Sequence, residues 1–205
     1  GAAITQAIGG HDIVWHLGAN TDIPSGNKQV ELDLKNCTMA THRVLEAIRA
    51  AGIKKLVFSS TSAVYGEACQ IPTPESEAPL FPISLYGAAK LACEGLVSAY
   101  CHLFDIQAWM FRFANVVGGR MGHGVIYDFI QKLKQNPREM EILGDGEQEK
   151  PFFLVEDCLE GMFAAYQHST AWCDVFNLGP TTTTKVNRVA EIVAEEMGLK
   201  GVRFR

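Results

Sequence analysis

The sequence predicts an α/β protein built around a parallel sheet. Three observations carry that expectation: short continuous apolar runs, helix-period segments between them, and short connectors closed by glycine or proline. In "HDIVWHLGA", Ile13, Val14 and Leu17 form an apolar run ended by Gly18, which suits a strand buried on both faces. "TMATHRVLEAIRAAGIKK" follows with Met39, Val44, Leu45 and Ile48 at helical spacing, and Gly52 stands where a helix stops before the strand "KLVFSS". The proline-rich "EACQIPTPESEAPLFP" reads as a loop before a helix starting near Ser84, with Leu91, Leu96 and Tyr100 on its apolar side. "DIQAWMFRFANVVG" gives another strand ending in a polar, glycine-rich turn, and "GVIYDFIQKLKQNP" another helix, closed by Asn136 and Pro137.

The tail changes character. "EILGDGEQEKPFFLVEDCLEGMFAAYQ" and "DVFNLGPTTTTKVNRVAEIVAEEMG" give short strands and two amphipathic helices, a smaller region expected beside the carboxyl edge of the sheet. The "TTTT" run falls where a helix N-cap is expected. Two regions are therefore anticipated, 1–115 carrying the sheet and 116–205 carrying mostly the smaller region together with returning sheet elements.

Composition narrows the function classes. With 205 residues, 47% of them hydrophobic, the chain can bury a substantial core. A net charge of -5 and a pI near 5.7 argue against nucleic-acid binding, which calls for a basic face. The six cysteines include no C-x-x-C pair and do not cluster with histidines at metal-ligand spacing, so no metal site is expected. Scattered cysteines without a signal-like leader read as reduced, packing residues of a cytoplasmic protein, and no apolar run is long enough to span a membrane.

The segment "SLYGAAK" places Tyr86 and Lys90 four residues apart, on one face of the predicted helix. Spacing alone makes this pair unremarkable; the strand "VFSSTSAVYG", running into a cluster of hydroxyls, gives it a chemical setting, because strand ends are where α/β sites are built. A tyrosine that accepts a proton near neutrality needs its phenolate favoured by about 4 kcal/mol, and a nearby ammonium has the required sign. Thr61 could hold a substrate oxygen and share the proton, with Tyr86 as general acid or base and Lys90 as electrostatic partner. For Thr61 taken alone, the plainer reading is a threonine satisfying a strand-end backbone group.

These motifs together resemble the extended short-chain dehydrogenase/reductases, the NAD-dependent epimerase/dehydratase family, and within it the UDP-glucose 4-epimerase type. The resemblance covers nearly the whole chain: "DIVWHLGA" is similar to the family's H-L-A-A strand, "VFSSTSAVYG" to its catalytic strand end, and "SLYGAAK" to its Y-x-x-x-K. "FRFANVVGGR" is similar to R-x-x-N-x-x-G, and "ILGDGEQEKPFFLVEDC" to G-D-G-x-Q-x-R-D-[FY]-x-x-V-x-D. It implies a partial Rossmann-type, doubly wound sheet with a small, truncated α/β substrate-binding region. It also implies an NAD cofactor, a nucleotide-sugar substrate and a homodimer.

Carried over by motif, Thr61, Tyr86 and Lys90 take the catalytic places. Leu17, Gly18, Ala19, Ser59 and Ser60 would line the cofactor together with Tyr86 and Lys90. Asn115 would contact the sugar diphosphate, the backbone near Val125 and Ile126 the base, and Lys150 a phosphate. The implied reaction is oxidation of a sugar hydroxyl to a transient 4-keto sugar and reduction from the opposite face. A nucleotide-sugar reductase or dehydratase of the same family is the competing enzyme reading, and a catalytically silent nucleotide-binding relative is the rival of another class. Dehydratase and decarboxylating relatives carry an acidic residue just after the catalytic threonine, where this chain has Ser62 and Ala63.

Several positions depart from the family pattern. The strand and G-x-x-G-x-x-G turn that hold the pyrophosphate are not in the sequence, and "KGVRFR" stops before the family's last segments, so a fragment that does not itself bind NAD normally is expected. Lys150-Pro151 stands for the usual Arg-Asp, and a lysine loses the bidentate fork; a solvated surface lysine is the plainer reading. Cys37 replaces a cofactor-contacting asparagine, with Asn36 one position away. Trp15, Trp109 and Trp172 read as packing residues, and His123 either as a substrate-loop residue or as a loop stabiliser.

Overall fold

A computed structural model describes residues 2–21, 26 and 28–205. The described chain divides into two compact units, Gly1–Phe113 with Leu159–Leu178, and Ala114–Cys158 with Gly179–Arg205.

The first unit contains helix α1 (Ala2–Ile8), β1 (Val14–His16), α2 (Met39–Ala51), β2 (Lys55–Thr61), α3 (Leu85–Phe104) and β3 (Gln107–Phe113). It also holds most of α5 (Val155–His168) and all of β8 (Cys173–Leu178). Its sheet has the order β1-β2-β3-β8 with every pairing parallel, as the continuous apolar runs predict. In β2, the five residues from Leu56 to Ser60 are buried, so this strand is covered on both faces. Helix α2 ends where the sequence says it must: Gly52 adopts φ 70°, a left-handed conformation that side-chain-bearing residues disfavour.

Helix α3 begins as expected at Ser84, whose hydroxyl accepts from the Gly87 amide. Its buried stripe differs from the one anticipated. Ala89, Cys93, Val97 and Cys101 face the core, while Leu96 and Tyr100 pack at its margin and Leu91 is half-buried. Cysteines here act as small apolar residues that let the helix approach the sheet closely, a role the larger side chains could not fill. Cys37 joins the same core within a π-helical turn (Leu34–Thr38), its sulfur 3.6 Å from that of Cys93.

The second unit contains β4 (Asn115–Val117), α4 (Val125–Gln135), β5 (Glu139–Met140), β6 (Glu149–Lys150), β7 (Phe152–Leu154), β9 (Thr184–Lys185), α6 (Val186–Glu196) and β10 (Arg203–Phe204). Three two-stranded pairings, β4–β7, β5–β10 and β6–β9, frame a core in which Phe129 and Leu133 of α4 meet Val189, Ala190 and Val193 of α6. The threonine run does not cap α6. Lys185 holds the cap position without a side-chain bond, because Thr184 and Lys185 are drawn into the strand pairing with β6.

Candidate active site

Three elements converge on the carboxyl end of β2. The strand delivers Ser59, Ser60 and Thr61; the 3₁₀ turn Ser62–Tyr65 follows at once, with the Thr61 Oγ1 accepting from the Ala63 amide at 3.2 Å. Thus Thr61 does satisfy a strand-end backbone group, as its plainer reading holds, and the same hydroxyl also acts on the phenol of Tyr86. The start of α3 lies tight against this turn. A Cβ on Gly87 would come within 2.6 Å of the Ala63 carbonyl oxygen, so only glycine lets the helix pack this closely on the turn.

Tyr86 is half-buried. Burial pushes its phenol above the ordinary tyrosine pKa, the Thr61 hydroxyl pulls it back, and the charges of Cys37 and Asp33 push it further up. In this structure desolvation dominates, and the opposing influence is Thr61.

Lys90 is 2% exposed, and its Nζ donates to the Ser59 carbonyl while lying 4.9 Å from the centre of the Phe58 ring. Desolvation lowers its pKa, against the pull of Cys37, Cys93 and Glu94. Both serines are committed inward: Ser59 Oγ donates to the His16 carbonyl at 3.4 Å, and Ser60 Oγ to Glu94. At the end of β1, Leu17 is 51% exposed, a Cβ on Gly18 would meet open space, and Ala19 packs on the core.

Several residues that sequence reasoning left unassigned stand behind these groups. His16 is buried, bonds Thr41 Oγ1 through Nε2 at 3.0 Å, and has its pKa lowered to about 4 by burial first and Lys90 second. Glu94 receives Arg112 at both oxygens, at 3.0 and 2.7 Å, forming a buried ion pair. Arg112 also donates to the Tyr65 hydroxyl at 2.8 Å, which donates to Asn177 Oδ1 at 2.8 Å; Asn177 in turn fixes Thr73 and Glu75 of the proline-rich loop. Glu94 carried a visible signal, an acidic residue four positions past Lys90 on the same helical face. Asn177 carried none, because its partners lie more than a hundred residues earlier.

The second unit holds the remaining predicted residues. Asn115 is exposed in β4, its Nδ2 donating to the Pro151 carbonyl at 3.0 Å. Val125 and Ile126 open α4 and pack on that unit's core; Lys150 is exposed in β6 opposite Thr184, and His123 is exposed. The "GDGEQ" segment wraps the start of α6, with Asn187 bonding the Asp145 carbonyl and the Glu147 carboxylate, and a Cβ on Gly146 would strike the Asn187 side chain. Among the described residues, no group of three or more His, Cys, Asp or Glu side chains could hold a metal ion, and no helix is long and apolar enough to cross a membrane.

Residues 1–179 fit the model of the NAD dependent epimerase/dehydratase family. The chain belongs to that family. It is 31% identical over 195 residues to the putative UDP-glucose 4-epimerase of Methanocaldococcus jannaschii, covering 93% of this chain and 62% of the relative. A crystal structure of a UDP-galactose 4-epimerase superposes with TM-score 0.88 at 40% identity, covering 97% of this chain and 66% of that one. A structure of MoeE5 with UDP-glucose and NAD superposes with TM-score 0.88 at 28% identity, over 98% and 68% of the two chains. The chain thus spans about three fifths of the curated relative's length.

Proposed function

We propose that the protein of which this chain is part is an NAD-dependent nucleotide-sugar epimerase that works through a transient 4-keto sugar. The observation that carries the reading is the convergence of the Thr61 strand end with the start of α3, where Tyr86 stands one helical turn from the buried Lys90, whose Nζ donates to the Ser59 carbonyl. MoeE5 is solved with UDP-glucose and NAD, and both epimerase relatives carry names of UDP-sugar chemistry, which supports a nucleotide sugar as substrate.

The end of β1 suits a flat cofactor ring: an exposed Leu17 offers apolar contact, and the open space at Gly18 leaves the approach unobstructed. NAD would lie along Leu17, Gly18 and Ala19 and past the main chain of Ser59 and Ser60, with Tyr86 and Lys90 at its ribose, and when bound it accepts and returns the hydride. The protein's own task is proton handling and orientation. Thr61 holds the substrate oxygen, and Tyr86 takes its proton and later gives it back. Because burial and neighbouring negative charge raise the Tyr86 pKa, the phenol rests protonated at neutral pH, and formation of the phenolate needs positive charge brought beside it. Lys90 is built into the wall to help supply it.

Ser62 and Ala63 follow Thr61, and neither can remove or donate a proton as a carboxylate does, which favours epimerisation over dehydration. In the second unit, Asn115, Lys150 and the backbone at Val125 and Ile126 would contact the diphosphate and the base. A cytoplasmic homodimer completes the reading. Its test is the interconversion of UDP-glucose and UDP-galactose by the protein in its full natural reading frame, with Tyr86→Phe as control. Full activity in Tyr86→Phe would falsify the mechanism; no turnover by the wild type on any nucleotide sugar tried would favour a silent nucleotide-binding relative.

A further inference from the structure

Tyr86, Lys90 and Glu94 recur every four residues along one face of α3, and each engages a different residue of the same three-residue strand end. Lys90 donates to the Ser59 carbonyl and the Glu94 carboxylate accepts from the Ser60 hydroxyl, while the Thr61 hydroxyl draws the Tyr86 phenol pKa down. These pairs form a ladder between β2 and α3, of which the first two rungs, at Tyr86 and Lys90, belong to the proposed chemistry and the third, at Glu94, does not.

We propose that Glu94 is a positioning residue that sets the axial register of α3 against β2, and through it the placing of Tyr86 on Thr61. This rests on the catalytic reading given above. Three features distinguish Glu94 from an ordinary buried acid. Its carboxylate is fixed by the planar fork of Arg112, which contacts both oxygens, so it is a rigid peg on the sheet. Arg112 belongs to β3, the neighbour of β2 in the sheet, and its other end is held by the Tyr65 hydroxyl. Finally, Glu94 and Ser60 are both nearly fully buried, at 5% and 2% exposure, so water does not compete for the bond. A helix is stiff along its axis, and an error of position at Glu94 passes undiminished to Tyr86 two turns away.

The variant Ser60→Ala removes the third rung and keeps the Glu94–Arg112 pair. Tyr100→Phe removes a hydroxyl from the same helix, one that bonds Glu46 of α2, without touching the ladder or Arg112. Glu94→Gln provides a second way to weaken the rung should Ser60→Ala fold poorly. The first readout needs no turnover: ultraviolet titration of the Tyr86 phenol in the folded chain, taken as the difference from a Tyr86→Phe background. Loss of register weakens the help from Thr61, so Ser60→Ala moves the Tyr86 midpoint upward and Tyr100→Phe leaves it in place.

In the full reading frame, Ser60→Ala lowers kcat about tenfold with KM within about twofold and NAD affinity unchanged, while Tyr100→Phe stays within about twofold in kcat. An unmoved Tyr86 titration in both Ser60→Ala and Glu94→Gln overturns the proposal. So does a loss in Ser60→Ala that lies wholly in NAD affinity, since Ser60 is then a cofactor contact, or equal losses in Ser60→Ala and Tyr100→Phe that track melting temperature. A wild type without turnover defeats the functional reading, and the titration still decides the role of Glu94.

Discussion

The two units hold their motif residues in opposite ways. In the first, Lys90, Glu94, Ser60 and Arg112 are all buried, and their bonds join β2, α3 and β3 across 18 to 34 residues of sequence. In the second, Asn115, Lys150 and His123 are exposed, and Asn115 bonds the main-chain carbonyl of Pro151, the residue just before β7. Groups that move protons must be fixed to a fraction of an ångström, and burial within a satisfied polar network fixes them. Groups that choose among substrates can sit on short strands and loops, where replacement costs the fold little.

The largest expected effect tests the chemical half of that contrast. Tyr86→Phe lowers kcat by about 10²- to 10⁴-fold while the melting temperature stays close to the wild-type value, as measured by steady-state assay and thermal unfolding. A comparable loss of kcat in Lys150→Ala would instead place chemistry in the exposed half. Next, Glu94→Ala leaves Arg112 buried without a counter-ion and destabilises the protein by about 3–5 kcal/mol, read from urea midpoints. If that variant is as stable as the wild type, the network is dispensable and the contrast drawn from burial fails.

A smaller effect is linked to pH. His16 titrates near about 4 in the folded protein and near its ordinary value of about 6.5 when unfolded, so between those values the unfolded state binds the extra proton. Its contribution is fully present above pH ~6.5 and is lost as pH falls toward ~4, about 3 kcal/mol in all. Urea unfolding across that window should show the slope, and His16→Gln should flatten it. Smallest is Lys150→Ala, which changes stability by less than about 0.5 kcal/mol because the side chain is solvated, and whose effect is confined to KM.

Much of the site was legible from residue order. Tyr86 and Lys90 share a helical face by arithmetic, Ser84 and Gly52 mark helix ends by their own conformational preferences, and Thr61 follows an apolar strand because strands end in polar turns. What escaped were residues whose meaning lies in distant partners. Arg112 stood inside a quoted motif without a role until β3 placed it beside α3, and the threonine run looked like a helix cap until strand pairing claimed it. The buried stripe of α3 was misplaced because cysteines carry weak hydrophobic signal in sequence yet pack as core.

The sequence by itself determined the fold class, the strand–helix order and the Tyr-x-x-x-Lys pair, all consequences of local periodicity and short-range conformational preference. Only the tertiary structure decided the electrostatics of that pair. Burial raises the Tyr86 pKa and lowers that of Lys90, and desolvation depends on what other parts of the chain bring around a group. The structure also decided that the helix is pegged to the sheet through Glu94, because a hydrogen bond between residues 34 positions apart exists only once strand and helix have packed.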